Sequence, residues 1–221
     1  MFSARIILLA VLVFATAFSA TAQKSDANEW TMEDYVNNLP EKYITTHGVN
    51  FATPTAKTMF VDVGNDYASH IICPPTENWD YEPYAVFQMG LFKSQAKPPL
   101  LVVSNYLSGD CDTYETFFLR RVGGNWKEVK RGILPPLNFK MFWDAPQSAG
   151  RLLKIIKERS ISYHFEPTRR GMQLKVSLEI CDNPERNETK SDYDELRKLI
   201  KSAKSFFLDW DSKNGKFIFA K

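Results

Sequence analysis

The chain has 221 residues, 44% of them hydrophobic, and its 28 Lys and Arg nearly balance 26 Asp and Glu, for a formal net charge of +2. That length can bury a real core as one ordinary domain, or at most two small ones. The balanced charge, with no Lys/Arg block, argues against nucleic acid or an anionic membrane as the main partner.

The chain opens with "MFSARIILLAVLVFATAFSATAQ". One positive charge (Arg5) precedes an apolar stretch from Ile6 to Phe14, and a small-residue tail follows, with Ala20-Thr21-Ala22 in the A-x-A cleavage pattern. This pattern predicts a signal peptide over 1–22, with Gln23 as the mature N-terminus and a secreted or periplasmic destination. The apolar stretch is short of the ~20 residues that span a bilayer, so no membrane anchor is expected. Cleavage leaves 199 residues and a charge of about +1, because Arg5 is the only ionisable side chain lost.

From Asn28 to Tyr43 the sequence reads as one short helix, with Thr31 as N-cap, Asp34 three positions on and Pro40 at the exit. The middle of the chain is strand after strand: Thr58–Val63, Tyr67–Cys73, Tyr84–Lys93, Leu100–Leu107, Tyr114–Val122 and Trp126–Arg131. Clusters such as Gly64-Asn65-Asp66, Lys97-Pro98-Pro99 and Gly123-Gly124-Asn125 separate them, as expected of sequential hairpins. "AVFQMGLF" and "PLLVVSNYL" are apolar on both faces and read as central strands covered on both sides. Two further helices are expected, in "DAPQSAGRLLKIIKERS" and "SDYDELRKLIKSAK".

Between them, "MQLKVSLEIC" alternates Met172, Leu174, Val176, Leu178 and Ile180 with Gln173, Lys175, Ser177, Glu179 and Cys181. That is the pattern of a half-buried antiparallel strand. The chain closes on two β-rich arms around Asn214-Gly215, a pair that favours a two-residue turn. The predicted fold is therefore α+β: an antiparallel β meander with about three peripheral helices, in one domain over 23–221, with a possible sub-division near 143–146.

Chemistry is limited first by absences. The chain has no P-loop, no G-x-G-x-x-G after a strand, no G-x-S-x-G and no H-E-x-x-H. No cofactor is expected. Its three cysteines, Cys73, Cys111 and Cys181, form no C-x-x-C, and export implies an oxidising compartment. Cys73 and Cys111 both fall at strand-to-loop junctions, so a Cys73–Cys111 disulfide with Cys181 left over is the favoured pairing. Closing that ~38-residue loop would stabilise the fold by roughly 3–4 kcal/mol.

Asp110, Asp112 and Glu115 crowd around Cys111, yet a calcium site needs six to eight oxygens, and Glu115 belongs to the next strand. No metal site is expected. The two aspartates suit a hairpin turn instead. They would also raise, not lower, the pKa of a nucleophilic thiol.

Of three histidines, His164 is the first catalytic candidate. In "SISYHFEP" alternation places Ser162, His164 and Glu166 on one strand face, so Glu166 could orient the imidazole. Strand neighbours two apart are ~6–7 Å apart, however, and a solvated polar face is the blander expectation. His70 reads as a packed strand residue and His47 as a loop residue.

Trp79, Tyr81 and Tyr84, interleaved with Glu77, Asp80 and Glu82, form a ligand-binding candidate suited to stacking on sugar rings. The alternative is that these rings fill the core edge. Arg169-Arg170 and Arg120-Arg121 are expected to be solvated turn cations. Asn187-Glu188-Thr189 is a glycosylation sequon in a polar loop. The leading functional expectation is an exported, non-enzymatic binding protein whose partner is a protein or an envelope polymer. An extracytoplasmic hydrolase using His164 and Glu166 is the alternative, and a purely structural envelope component a third.

Overall fold

The computed structural model describes residues 30–46, 49–50, 59–72, 85–108, 113–143, 161–170, 172–180 and 198–220. Strands β1 (Thr45–Thr46) and β2 (Val49–Asn50) make a small ladder of their own. A six-stranded antiparallel sheet follows in strict chain order: β3 (Phe60–Asp62), β4 (Tyr67–Ile72), β5 (Ala85–Phe92), β6 (Leu100–Leu107), β7 (Thr113–Val122) and β8 (Asn125–Glu128). A second, four-stranded sheet is also a meander, built from β9 (Ile161–Pro167), β10 (Gln173–Ile180), β11 (Phe206–Asp211) and β12 (Lys216–Phe219).

The expected antiparallel meander is therefore present, divided between two sheets. The α+β expectation is too helical for the described residues, whose α-helices are α1 (Met32–Asn37) and a turn at 198–201. The helix expected over 144–160, and the first half of the one expected over 191–204, lie outside the described residues.

Helix α1 is shorter than Asn28–Tyr43, but its start is the expected one. The Thr31 N–H donates to Asp34 Oδ2 at 2.7 Å, and the Asp34 N–H donates to Thr31 Oγ1 at 3.4 Å, a reciprocal capping box. It ends at Asn37, before Pro40, which leads a separate 3₁₀ turn over Glu41–Tyr43.

The turns divide in the same way. Gly123 and Gly124, with φ of 56° and 79°, make the two-residue link between paired Val122 and Asn125. Asn214-Gly215 does not form a two-residue turn, because Asp211 pairs with Lys216 across four residues. Asp211 is the reason: its carboxylate accepts from the Asn214 N–H at 3.1 Å and from Nδ2 at 2.6 Å, which holds the wider loop.

Alternation along the large sheet sends side chains into two cores. On one face Phe87, Met89, Leu91, Leu101, Val103 and Leu119 pack against Met32, Tyr35 and Val36 of α1 and against Leu39, Tyr43 and Ile44. On the other face Phe92, Leu100, Val102 and Phe118 meet Phe165, Leu174, Val176, Leu178, Leu208 and Phe217 of the small sheet. Strand β6 thus has both faces covered, which is why its sequence lacks alternation. The second core draws on both sides of the sub-division expected near 143–146.

Strand β9, at the edge of the small sheet, brings its backbone closest to β5, β6 and β7. Two contacts set it there. Thr116 Oγ1 donates to the Phe165 carbonyl at 3.3 Å, and Gly90 leaves room for Pro167, whose Cβ would stand 2.7 Å from any Cβ added at Gly90. Here glycine is needed for close approach.

Candidate functional site

Where β9 meets the large sheet, the polar faces of both sheets enclose a half-open cavity of about 250 Å³. Cross-strand register explains which side chains reach it. Gln88 pairs with Ser104, and Val86 with Tyr106 and then Tyr114, so these five share one face of β5, β6 and β7. From the small sheet come His164 and Glu166 on β9, and Lys175, Ser177 and Glu179 on β10.

His164 is the centre of this arrangement and is only 8% exposed. The solvated polar face expected for β9 is therefore corrected: Ser162 is exposed, but His164 is covered by the large sheet. Its Nε2 lies 3.0 Å from Ser104 Oγ, and its Nδ1 lies 3.8 Å from Glu179 Oε1. Its ring packs on Tyr114 with centroids 4.5 Å apart, and Tyr114 in turn packs on Tyr106 at 4.8 Å.

Burial pushes the His164 pKa down from 6.5 to about 4, against the attraction of the nearby Glu166 charge, with Lys175 adding to the fall. The ring is neutral at pH 7, so the 3.8 Å contact with Glu179 is not an ion pair. A proton on Nδ1, on the side of the Glu179 carboxylate, leaves Nε2 to accept the Ser104 hydroxyl; this tautomer is assigned from the carboxylate's charge, since 3.8 Å is too long for a direct hydrogen bond.

Glu166 does not orient His164. It accepts from Gln88 Nε2 at 3.2 Å and from Lys175 Nζ at 3.2 Å. The acid beside the imidazole is instead Glu179, which also accepts from Ser177 Oγ at 3.3 Å. Strand geometry accounts for the exchange. Glu179 and Ser177 lie on the neighbouring strand, where Ser177 pairs directly with His164, while Glu166 is two positions along the same strand.

Sequence reasoning missed Ser104, Gln88, Tyr106 and Tyr114. The available signal was a polar residue inside an otherwise apolar central strand, Gln88 in "AVFQMGLF" and the Ser104-Asn105 pair in "LLVVSNYL", of which Ser104 faces the cavity. A polar group on a strand buried on both faces needs a partner.

Of the basic pairs, Arg170 is exposed as expected, but the other three arginines are held against protein groups. Arg169 Nε lies 2.8 Å from Asp62 Oδ2, and its guanidinium covers the Phe60 ring at 4.6 Å. Arg120 is 7% exposed and donates to the Pro98 carbonyl and, at 3.0 Å, to the Gly215 carbonyl. Arg121 lies 3.8 Å over the ring of Trp30. His70 is a half-buried residue of β4, opposite Phe87 in the ladder. Glu115 pairs with Asn105, on the face of the large sheet away from the cavity. Among the described residues, no group of three or more His, Cys, Asp or Glu is placed to hold a metal ion. Residues 1–22, the three cysteines, His47, Trp79, Tyr81, Tyr84, Asp110, Asp112 and the sequon at Asn187 lie outside the described residues.

Fold and site together define a two-sheet antiparallel β protein with a polar cleft where the sheets meet. No known family pattern matches the chain, and no curated protein matches it in sequence. A domain of an uncharacterized protein from Porphyromonas gingivalis is similar in structure, at a TM-score of 0.44 and 10% identity, over 70% of this chain and 71% of that chain. So distant a likeness assigns no function.

Proposed function

We propose that this chain is an exported binding protein that takes a sugar unit of an envelope polymer into the cleft between its sheets. The cleft itself carries the reading. It offers two tyrosine rings, two carboxylates, an ammonium and two hydroxyls within about 250 Å³, enough for one compact polar unit. Tyrosine supplies an apolar face for the ring of a sugar, while Glu166, Lys175 and Gln88 supply donors and acceptors for its hydroxyls. The sequence suggests the same chemistry for Trp79, Tyr81 and Tyr84. Export is supported by the leader-like N-terminus, and a Cys73–Cys111 disulfide belongs to the same oxidising compartment.

The test is calorimetric titration with soluble saccharide fragments of envelope polymers. Saturable binding to the wild type is expected, with roughly tenfold weaker binding for Tyr114→Ala, the loss of one ring contact. If no saccharide binds, or if Tyr114→Ala binds equally well, the reading fails.

A further inference from the structure

Ser104, His164 and Glu179 come from three strands in two sheets and stand in the order hydroxyl, imidazole, carboxylate. The separations are 3.0 Å from Ser104 Oγ to His164 Nε2 and 3.8 Å from His164 Nδ1 to Glu179 Oε1. All three line the half-open cavity. We propose that Ser104 is an acyl-accepting nucleophile, His164 its general base and Glu179 the positioning residue of the imidazole, in a hydrolase of compact esters.

The residues divide the work as such chemistry requires. A serine hydroxyl is a weak nucleophile unless a neighbouring base takes its proton. His164 can do so because the burial that pushes its pKa to about 4 keeps the ring unprotonated at neutral pH. The carboxylate of Glu179 favours the tautomer with its proton on Nδ1, leaving Nε2 for the hydroxyl. Gln88 stands directly across the ladder from Ser104 on the same face, so its amide is the donor placed to turn toward a developing oxyanion. At rest that amide donates to Glu166.

In the first step Ser104 Oγ bonds to the ester carbonyl carbon as its proton passes to His164 Nε2. The tetrahedral species then breaks its bond to the alcohol oxygen, which leaves with the proton from Nε2. Water repeats the sequence on the acyl-serine, giving the carboxylic acid and restoring Ser104. The net reaction is ester plus water to acid plus alcohol.

Two features restrict the substrate and the rate. Ser104 is only 2% exposed, so the acyl group must be small, of the size of an acetyl. A base with so low a pKa is a weak proton acceptor in both acylation and deacylation, so turnover is slow; with an activated ester, whose leaving group departs without a proton, deacylation is the slower step and the acyl-serine accumulates.

The inference uses the pocket described above but does not depend on saccharide binding. Wild-type protein is incubated with p-nitrophenyl acetate, and separately with a small alkyl fluorophosphonate, and digested for peptide mass mapping. The expected result is one adduct, on Ser104. Labelling should be lost in Ser104→Ala, fall about a hundredfold in His164→Gln, and persist in Ser162→Ala, an exposed serine on the strand of His164. For Glu179→Gln, the pH profile of labelling should shift along with its rate, which a merely structural role would not produce. Circular dichroism confirms that each variant is folded. Unlabelled wild type, or an adduct at any other residue, overturns the proposal. If saccharide binding is seen in the same preparation, only the catalytic inference fails.

Discussion

His164 is a histidine that folding removes from water with its ring uncharged, and this fixes how stability depends on pH. In the unfolded chain it titrates near 6.5; in the fold burial lowers this to about 4. Between those values the unfolded chain binds more protons, so stability rises with pH through that window. It is fully present above about 6.5, and it is lost as pH falls toward 4. The difference corresponds to roughly 3 kcal/mol for this one group. Asp62 and Asp211, held below their ordinary range chiefly by side-chain bonds from Asn65 and Asn214, act at lower pH and leave the window distinct. Urea denaturation of the wild type at pH 7 and pH 4.5 should show the fall, and His164→Gln should flatten most of it. Equal slopes in the two proteins would mean that His164 is not buried neutral.

At the scale of elements, β9 makes the site by bringing its edge against the large sheet. The close approach depends on Gly90, since a methyl group there would meet Pro167 and the Phe92 ring at 2.7 and 3.1 Å. Gly90→Ala should cost about 1–3 kcal/mol, the usual range for overpacking. It should also move β9 away from β6 and let water reach the imidazole. Carbon-detected titration of His164 by NMR checks this, with a pKa moving up toward 6.5 as the expected result. An unchanged value would separate the site from this contact. The same strand shows how far pattern reading extends. Alternation along "SISYHFEP" groups Ser162, His164 and Glu166, but it does not reveal that one is exposed, one buried and one paired with Lys175.

For the whole molecule, the junction of the two sheets depends on a cation. Arg120, on β7, reaches both the Pro98 carbonyl, between β5 and β6, and the Gly215 carbonyl, in the β11–β12 turn. Burial pushes its pKa down. Arg120→Lys replaces a planar fork, whose Nη1 and Nη2 each serve one carbonyl, with one ammonium nitrogen that lacks that fixed two-point reach, and should destabilise by about 2 kcal/mol. Chemical denaturation measures it, and a loss below a few tenths of a kcal/mol would show that the latch carries little. The proposed export and oxidation are tested at this scale too. N-terminal sequencing of the native protein should begin at Gln23, and non-reducing peptide mapping should recover a Cys73–Cys111 pair. A retained leader, or fully reduced cysteines, would refute these expectations.

The features legible along the chain are local: the Thr31–Asp34 capping box, the strands between breakers, the two-glycine turn at Gly123-Gly124, and the doubly covered β6. Each follows from side-chain period or turn chemistry within about ten residues, where composition and backbone preference act directly. Tertiary packing divides the meander into two sheets. It also placed Ser104 beside His164 across sixty positions and made Glu179, not Glu166, the neighbouring acid. Periodicity gives the face on which a side chain lies, but the identity of the opposing surface depends on which sheets pack together. That packing is set by summed apolar burial across the whole chain, to which no short segment holds the key.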